Sequence, residues 1–144
     1  MIIVPDASVI LKWVLEQGEG KDVRKAFEVH SAFISGEIDL QLPTLWRYEV
    51  GNILGLKQPG LVEELMRALL DYEFSEVHLT SDYCLSVLKF MQEIKGVTFY
   101  DSCYHVLALR TSGVYVTADK EYVKKSRRKG NICLLSEWKT PGHS

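Results

Sequence analysis

The sequence predicts an α/β protein, a three-layer α/β/α sandwich around a central, mostly parallel sheet. Three observations lead there. Short β-branched runs alternate with stretches of helical spacing along the whole chain, the pattern of strand–helix–strand units. The opening Ile2-Ile3-Val4 is a short β-branched run, which reads as a buried parallel strand. The length of 144 residues suits one core, because halves of that size would bury too little surface. Residues 1–138 are expected to form this single domain and 139–144 a flexible tail.

Ile2-Ile3-Val4 reads as the first buried strand. Pro5 lacks an N–H and is expected to end it early. Val9 to Leu15 follows as a helix capped by Asp6 or Ser8. After Gly18 and Gly20, helical spacing sets Val23, Ala26, Phe27, His30 and Ile34 on one face. Asp39 to Leu42 is a second strand, stopped by Pro43. The pattern turns helical from Thr44, with Trp46, Val50 and Ile53 as its stripe, and Pro59-Gly60 separates it from a helix over Leu61 to Leu70.

Val77-His78-Leu79 is the next strand candidate, and Thr80 or Ser81 caps the helix that carries Cys84, Val87, Leu88 and Met91. A helix over Tyr100 to Thr111 ends at Gly113, a residue suited to the left-handed position after a helix. Val114-Tyr115-Val116 is a strand, Ala118-Asp119 opens a short helix, and Ile132 to Leu135 is the last strand.

Composition removes several classes. With 47% hydrophobic and 25% charged residues, the chain has the balance of a globular domain. Three widely spaced cysteines, Cys84, Cys103 and Cys133, fit neither a disulfide framework nor metal-ligand spacing. No window is long and apolar enough for a bilayer, and the first residues lack the basic start and apolar run of a signal peptide. A cytoplasmic protein without membrane contact is expected. A formal net charge of −2 leaves nucleic-acid binding to local patches.

Four carboxylates carry the chemical signal. Asp6 follows the first strand and Asp119 follows the Val114–Val116 strand. In an open parallel sheet, ligands bind in the crevice at the carboxyl ends of the strands, so both belong to one rim. Taken singly, each is explained as a helix cap. Glu49 lies within or beside an apolar stripe, where a charge requires a partner. Arg47 or Lys12 would satisfy it, and so would a metal ion. Asp101 stands in the first turn of its helix, where an acid also favours the helix dipole. His105, four residues on, reads as a packed histidine. Clustered carboxylates raise one another's pKa unless a cation neutralises them, and Mg²⁺ or Mn²⁺ is the matching hard cation.

These residues, in this order, resemble the PIN-domain family, specifically its VapC-like toxin branch. Ile3-Val4-Pro5-Asp6-Ala7-Ser8-Val9 with Lys12-Trp13 is similar to the family's opening. Leu45-Trp46-Arg47-Tyr48-Glu49-Val50-Gly51-Asn52 resembles its glutamate-bearing helix. Phe99-Tyr100-Asp101-Ser102-Cys103-Tyr104 and Val116-Thr117-Ala118-Asp119-Lys120 resemble its third and fourth acidic motifs. The likeness spans almost the whole chain.

It implies a metal-dependent endoribonuclease, with Asp6, Glu49, Asp101 and Asp119 as catalytic and metal-site residues and Ser8 and Thr117 as supporting hydroxyls. It further implies Mg²⁺ (or Mn²⁺) as cofactor, RNA as substrate, a homodimer, and a small antitoxin as partner of the toxin. PIN domains also serve in RNA processing or as silent RNA- or partner-binding modules, and those remain the alternatives. Cys103 stands where a small or apolar residue is more usual, which packing can accommodate.

Lys120, Lys124, Lys125, Arg127, Arg128 and Lys129 crowd together just after Asp119. A solvated helix end is the plain explanation, yet the strip begins at the rim that carries the acids. Lys12, Lys120, Lys124, Lys125, Arg127 and Arg128 are therefore the candidate RNA contacts. A phosphoryl-accepting receiver-like domain would want paired acids after its first strand and a lysine after its last. The chain offers a single Asp6 and Ser136-Glu137 there.

Overall fold

The computed structural model describes residues 1–15 and 20–142. Five parallel strands form the sheet in the order β3-β2-β1-β4-β5. They are β1 (Ile2–Pro5), β2 (Asp39–Pro43), β3 (Ser75–Val77), β4 (Val114–Thr117) and β5 (Ile132–Leu134). Among the described residues, seven α-helices accompany them: α1 (Ala7–Val14), α2 (Lys21–Ile34), α3 (Leu45–Lys57), α4 (Val62–Leu70), α5 (Ser81–Glu93), α6 (Phe99–Thr111) and α7 (Lys120–Ser126). This is the expected α/β/α sandwich. The segment that contains Gly18 lies outside the described residues.

Strand order places the functional edge. Chain direction reverses its lateral progress at β1, which has β2 on one side and β4 on the other. β1 and β4 thus flank a topological switch point, the place where open parallel sheets form a crevice. Because all strands run parallel, the residues that follow each one emerge on the same edge.

The core joins both faces of the sheet. Ile3, Val4, Leu40, Leu42, Tyr115 and Val116 are buried along the strands. α6 is covered over most of its length, from Ser102 to Ala108, and packs on β1, β2, β4 and α5. α1 packs against α2 and α3. An aromatic group of Trp13, His30, Phe33, Trp46, Tyr72 and Phe74 fills the space among α1, α2, α3 and the entry to β3.

Several local expectations are corrected. β1 continues through Pro5, which sits in register with Val116, because that pairing needs no N–H from the proline. β3 ends at Val77, and His78 and Leu79 are exposed. Its partner β2 stops at Pro43, the residue opposite Val77, so the ladder has nothing further to pair with. On α2 the buried positions are Ala26, Val29 and Ala32. Phe27 and Ile34 are 45% and 60% exposed, so the inward face is narrower and lined by smaller residues than the spacing suggested.

The end of α6 also differs. Ser112, with φ 55°, takes the left-handed position. Gly113 is required for another reason: a Cβ there would lie 2.7 Å from the Ile2 carbonyl oxygen. At the C-terminus Trp138 is buried, and its carbonyl accepts a hydrogen bond from Lys25 Nζ at 2.7 Å.

Candidate functional site

β1 and β4 deliver the first and fourth acids side by side. The Asp6 N–H donates to the Val116 carbonyl at 2.9 Å, extending the β1–β4 ladder by one bond. Asp6 is also the N-cap of α1, its Oδ1 accepting from Ser8 N at 3.4 Å. Thr117, wholly buried at the last position of β4, donates its hydroxyl to Asp6 Oδ2 at 2.7 Å. The same Thr117 oxygen accepts the Asp119 N–H at 3.1 Å. Asp119 in turn caps α7, with Oδ1 accepting from Tyr122 N at 3.0 Å. One threonine therefore ties two acids together.

Both cap explanations are true, and they do not compete with a functional one. Each cap uses one carboxylate oxygen and leaves lone pairs on the other.

Glu49 occupies the second turn of α3, half-buried. Neither basic residue offered from the sequence satisfies it. Arg47 is turned away into a forked pair with Glu76 at 2.8–3.0 Å, and Lys12 Nζ donates to the Ser8 carbonyl at 3.3 Å. The partner is a phenol: Tyr104 OH donates to Glu49 Oε1 at 2.7 Å. Burial raises the Glu49 pKa, and the charges of Asp6 and Asp101 raise it further against the hydrogen bond from Tyr104.

Asp101 stands in the first turn of α6, which Thr98 caps by accepting the Asp101 N–H at 3.1 Å. Its pKa is pushed up to about 6, first by burial and then by the charges of Asp6 and Asp119. Glu49 feels Asp6 and Asp101, and Asp101 feels Asp6 and Asp119. Asp6 and Asp119 are joined through Thr117 at the switch point, Asp101 lies within reach of both their charges, and Glu49 within reach of Asp6 and Asp101. A cluster of like charges held this way has uncompensated negative potential.

The donor set can be weighed against a hard divalent cation. Every candidate ligand is a carboxylate oxygen, the chemistry such ions prefer. Ser8 Oγ is buried beside Asp6 with no hydrogen-bond partner among the described residues, a polar atom in want of one. Against this, no group of three or more Asp, Glu, His or Cys among the described residues is gathered tightly enough to grip an ion directly. The arrangement fits a hydrated Mg²⁺ or Mn²⁺, held through one or two carboxylates with water filling the remainder, and not a closed protein cage.

The other predicted residues divide. His105 is structural: fully buried, it joins Tyr122 OH at 2.8 Å and the Gly130 carbonyl at 2.7 Å. Among the basic residues, Lys120 and Lys124 are exposed on α7. Lys125 Nζ donates to the Gly96 carbonyl at 3.1 Å, Arg128 to the Glu93 carbonyl at 2.6 Å, and Lys129 pairs with the Glu93 carboxylate. Arg127 faces Glu137 at 3.8 Å. Much of the strip thus fastens α7 and the turn after it to the α5–α6 connection and the C-terminal segment.

Sequence reasoning passed over Tyr104. The usable signal was an unpaired glutamate on an apolar stripe together with a tyrosine three residues after an acid on another helix. Size of cavity is no guide here. A hollow of about 850 Å³ runs along α2, lined by Val23, Phe27 and Thr140 among others, and none of the four acids lines it.

No family model matches the chain, and no curated protein does. Among solved structures, it is similar to a chain of "Structure of FitAB bound to IR36 DNA fragment". The TM-score is 0.71 over 98% of this chain and 99% of that one, at 13% sequence identity. A likeness of that extent at that identity speaks to the fold. This chain shares that chain's fold, a PIN-like three-layer α/β/α sandwich.

Proposed function

We propose that this protein is a metal-dependent endoribonuclease that hydrolyses RNA phosphodiester bonds, the toxin of a toxin–antitoxin pair. The observation that carries the reading is the meeting of Asp6 and Asp119 at the ends of β1 and β4, bridged by Thr117, with Asp101 near enough for both charges to raise its pKa. A folded chain keeps such repulsion where a cation or its ligand repays it. Mg²⁺ or Mn²⁺, when bound, would supply a water of lowered pKa and neutralise charge on a phosphoryl oxygen.

The protein's own part is orientation. Thr117 holds Asp6 from β4, and Asp119 is held by the first turn of α7. Thr98 sets the start of α6 and with it Asp101. Ser8 Oγ, without a protein partner, is available to a bound water. Lys12, Lys120 and Lys124, with the ends of Lys125, Arg127 and Arg128, would offset the negative edge toward a phosphate backbone. The similar solved chain belongs to a complex described as bound to DNA. For this chain DNA is the comparison substrate.

Exposed Tyr48, Leu56, Leu79, Leu85 and Leu88 give α3, α5 and the segment before α5 apolar surface that favours a protein partner. We assign it to a second copy of the chain or to the antitoxin. No described helix is long and apolar enough to cross a membrane. A cytoplasmic setting suits the proposed partners.

The deciding experiment incubates purified protein with labelled RNA, and with DNA of the same sequence, in Mg²⁺, Mn²⁺ or EDTA. Internal cleavage of RNA that requires the metal is expected, with Asp6→Asn and Asp101→Asn losing nearly all of it. Failure to cut RNA in any metal, or full activity in both variants, refutes the reading.

A further inference from the structure

The four acids are not oriented alike. Asp6 and Asp119 stand at helix starts, where backbone N–H groups hold one oxygen of each. Glu49 lies in the second turn of α3, past the N-cap position at which Asp6 and Asp119 stand in their own helices. Its carboxylate is held by a side chain and not by a helix-start N–H. The donor present comes from α6: Tyr104 OH on Glu49 Oε1 at 2.7 Å.

We propose that Tyr104 is a positioning residue for Glu49, setting the rotation of its carboxylate by occupying Oε1 and leaving Oε2 for the incoming ligand. The assignment rests on the nuclease reading above and names a residue that acts through one of its acids.

Three further observations support it. Tyr104 is 1% exposed, so its hydroxyl has no water to turn to, and moving it would orphan a buried donor. Its ring is stacked on Tyr115 of β4, centroids 5.9 Å apart and planes 16° from parallel. Tyr115 is itself packed edge-on against Tyr122 at 5.6 Å and tilted against His105 at 5.7 Å, and those two are joined by a hydrogen bond. The hydroxyl is therefore mounted on a rigid train of rings that runs through β4, the strand that ends in Thr117. Finally, Asp101 and Tyr104 are three residues apart on α6 and share a helix face. One helix thus presents both an acid and the donor that aims a second acid. Groups that orient a metal-binding side chain from behind govern affinity for the ion, which is the basis of the test.

Tyr104→Phe keeps the ring and removes the donor. Mn²⁺ affinity, measured by calorimetry on RNA-free protein, should fall by about 10-fold or more. At saturating metal, kcat for RNA should fall with little change in KM. The denaturant midpoint in EDTA reports any general loss of structure separately. In a Glu49→Gln background, Tyr104→Phe should change Mn²⁺ affinity no further, because the residue it acts through is already altered.

Equal Mn²⁺ affinity in wild type and Tyr104→Phe overturns the assignment and leaves the nuclease reading intact. So does an undiminished loss in the Glu49→Gln background, which would mean that Tyr104 acts through the core. A wild type that neither binds Mn²⁺ nor cuts RNA removes both proposals. Should Tyr104→Phe fail to fold, Glu49→Asp shortens the acid away from the same hydroxyl. Wild-type Mn²⁺ affinity in that variant would equally overturn the proposal.

Discussion

At Asp101, burial and the charges of Asp6 and Asp119 act in the same direction, and the folded pKa of about 6 stands above the ordinary value of 3.8. The fold therefore binds this proton more tightly than the unfolded chain does. Its contribution to stability is complete below the unfolded value and is lost as pH rises through about 6. In EDTA, Asp101→Asn should raise the denaturant midpoint at pH 7.5 and remove part of the decline between acid and neutral pH. A midpoint that falls or stays constant would contradict the coupling. Cation and proton compete for the same oxygens, so Mn²⁺ affinity should weaken as pH drops through that range. At Glu49 the sequence already posed the problem of a charge on an apolar stripe. It could not answer it, because Tyr104 is 55 residues away and meets Glu49 only when α3 and α6 are packed in place.

Elements were legible to the extent that their signals are local. Caps at Asp6, Thr80 and Asp119 stand where side-chain chemistry put them. The misplaced boundaries belong to partners. β3 stops where β2 stops, and no property of Val77-His78-Leu79 itself reveals that. The turn from α6 into β4 makes the same point. A glycine was expected for its left-handed freedom, yet Ser112 takes that conformation and Gly113 makes room for β1. Gly113→Ala should cost about 1–3 kcal/mol, since the new methyl meets a backbone carbonyl that cannot swing aside. Ser112→Gly should be tolerated, changing stability by no more than about 1 kcal/mol. Urea unfolding of the two variants checks the contrast, and equal effects would show that the approach to Ile2 is not limiting.

The whole molecule is set between opposing pH gradients. Burial lowers the pKa of His105, partly countered by its bond to the Gly130 carbonyl, and burial lowers that of His30. A histidine kept neutral by the fold gives stability that is complete above the unfolded value of 6.5 and is lost as pH falls from there through the lowered folded value. The raised carboxylates work the other way over neighbouring pH. In an Asp101→Asn, Glu49→Gln background, metal-free stability should therefore fall monotonically from pH 7.5 to 5.5. A flat or rising profile would mean that the two histidines take up protons without cost to the fold.

Sequence alone determined the fold class and the order of strands and helices, and it singled out the four acids proposed as the site. Those follow from hydrophobic period, cap chemistry and motif, all of which are written within short spans of chain. The tertiary structure decided what each acid touches. Sheet order β3-β2-β1-β4-β5 sets Asp6 beside Thr117, and helix packing gives Glu49 a tyrosine where a cation had been the other choice. Much of the basic strip proved to be fastened to the molecule's own surface. The physical reason is common to all three: a hydrogen bond or a Coulomb interaction acts over ångströms in space, whatever the number of residues between its partners.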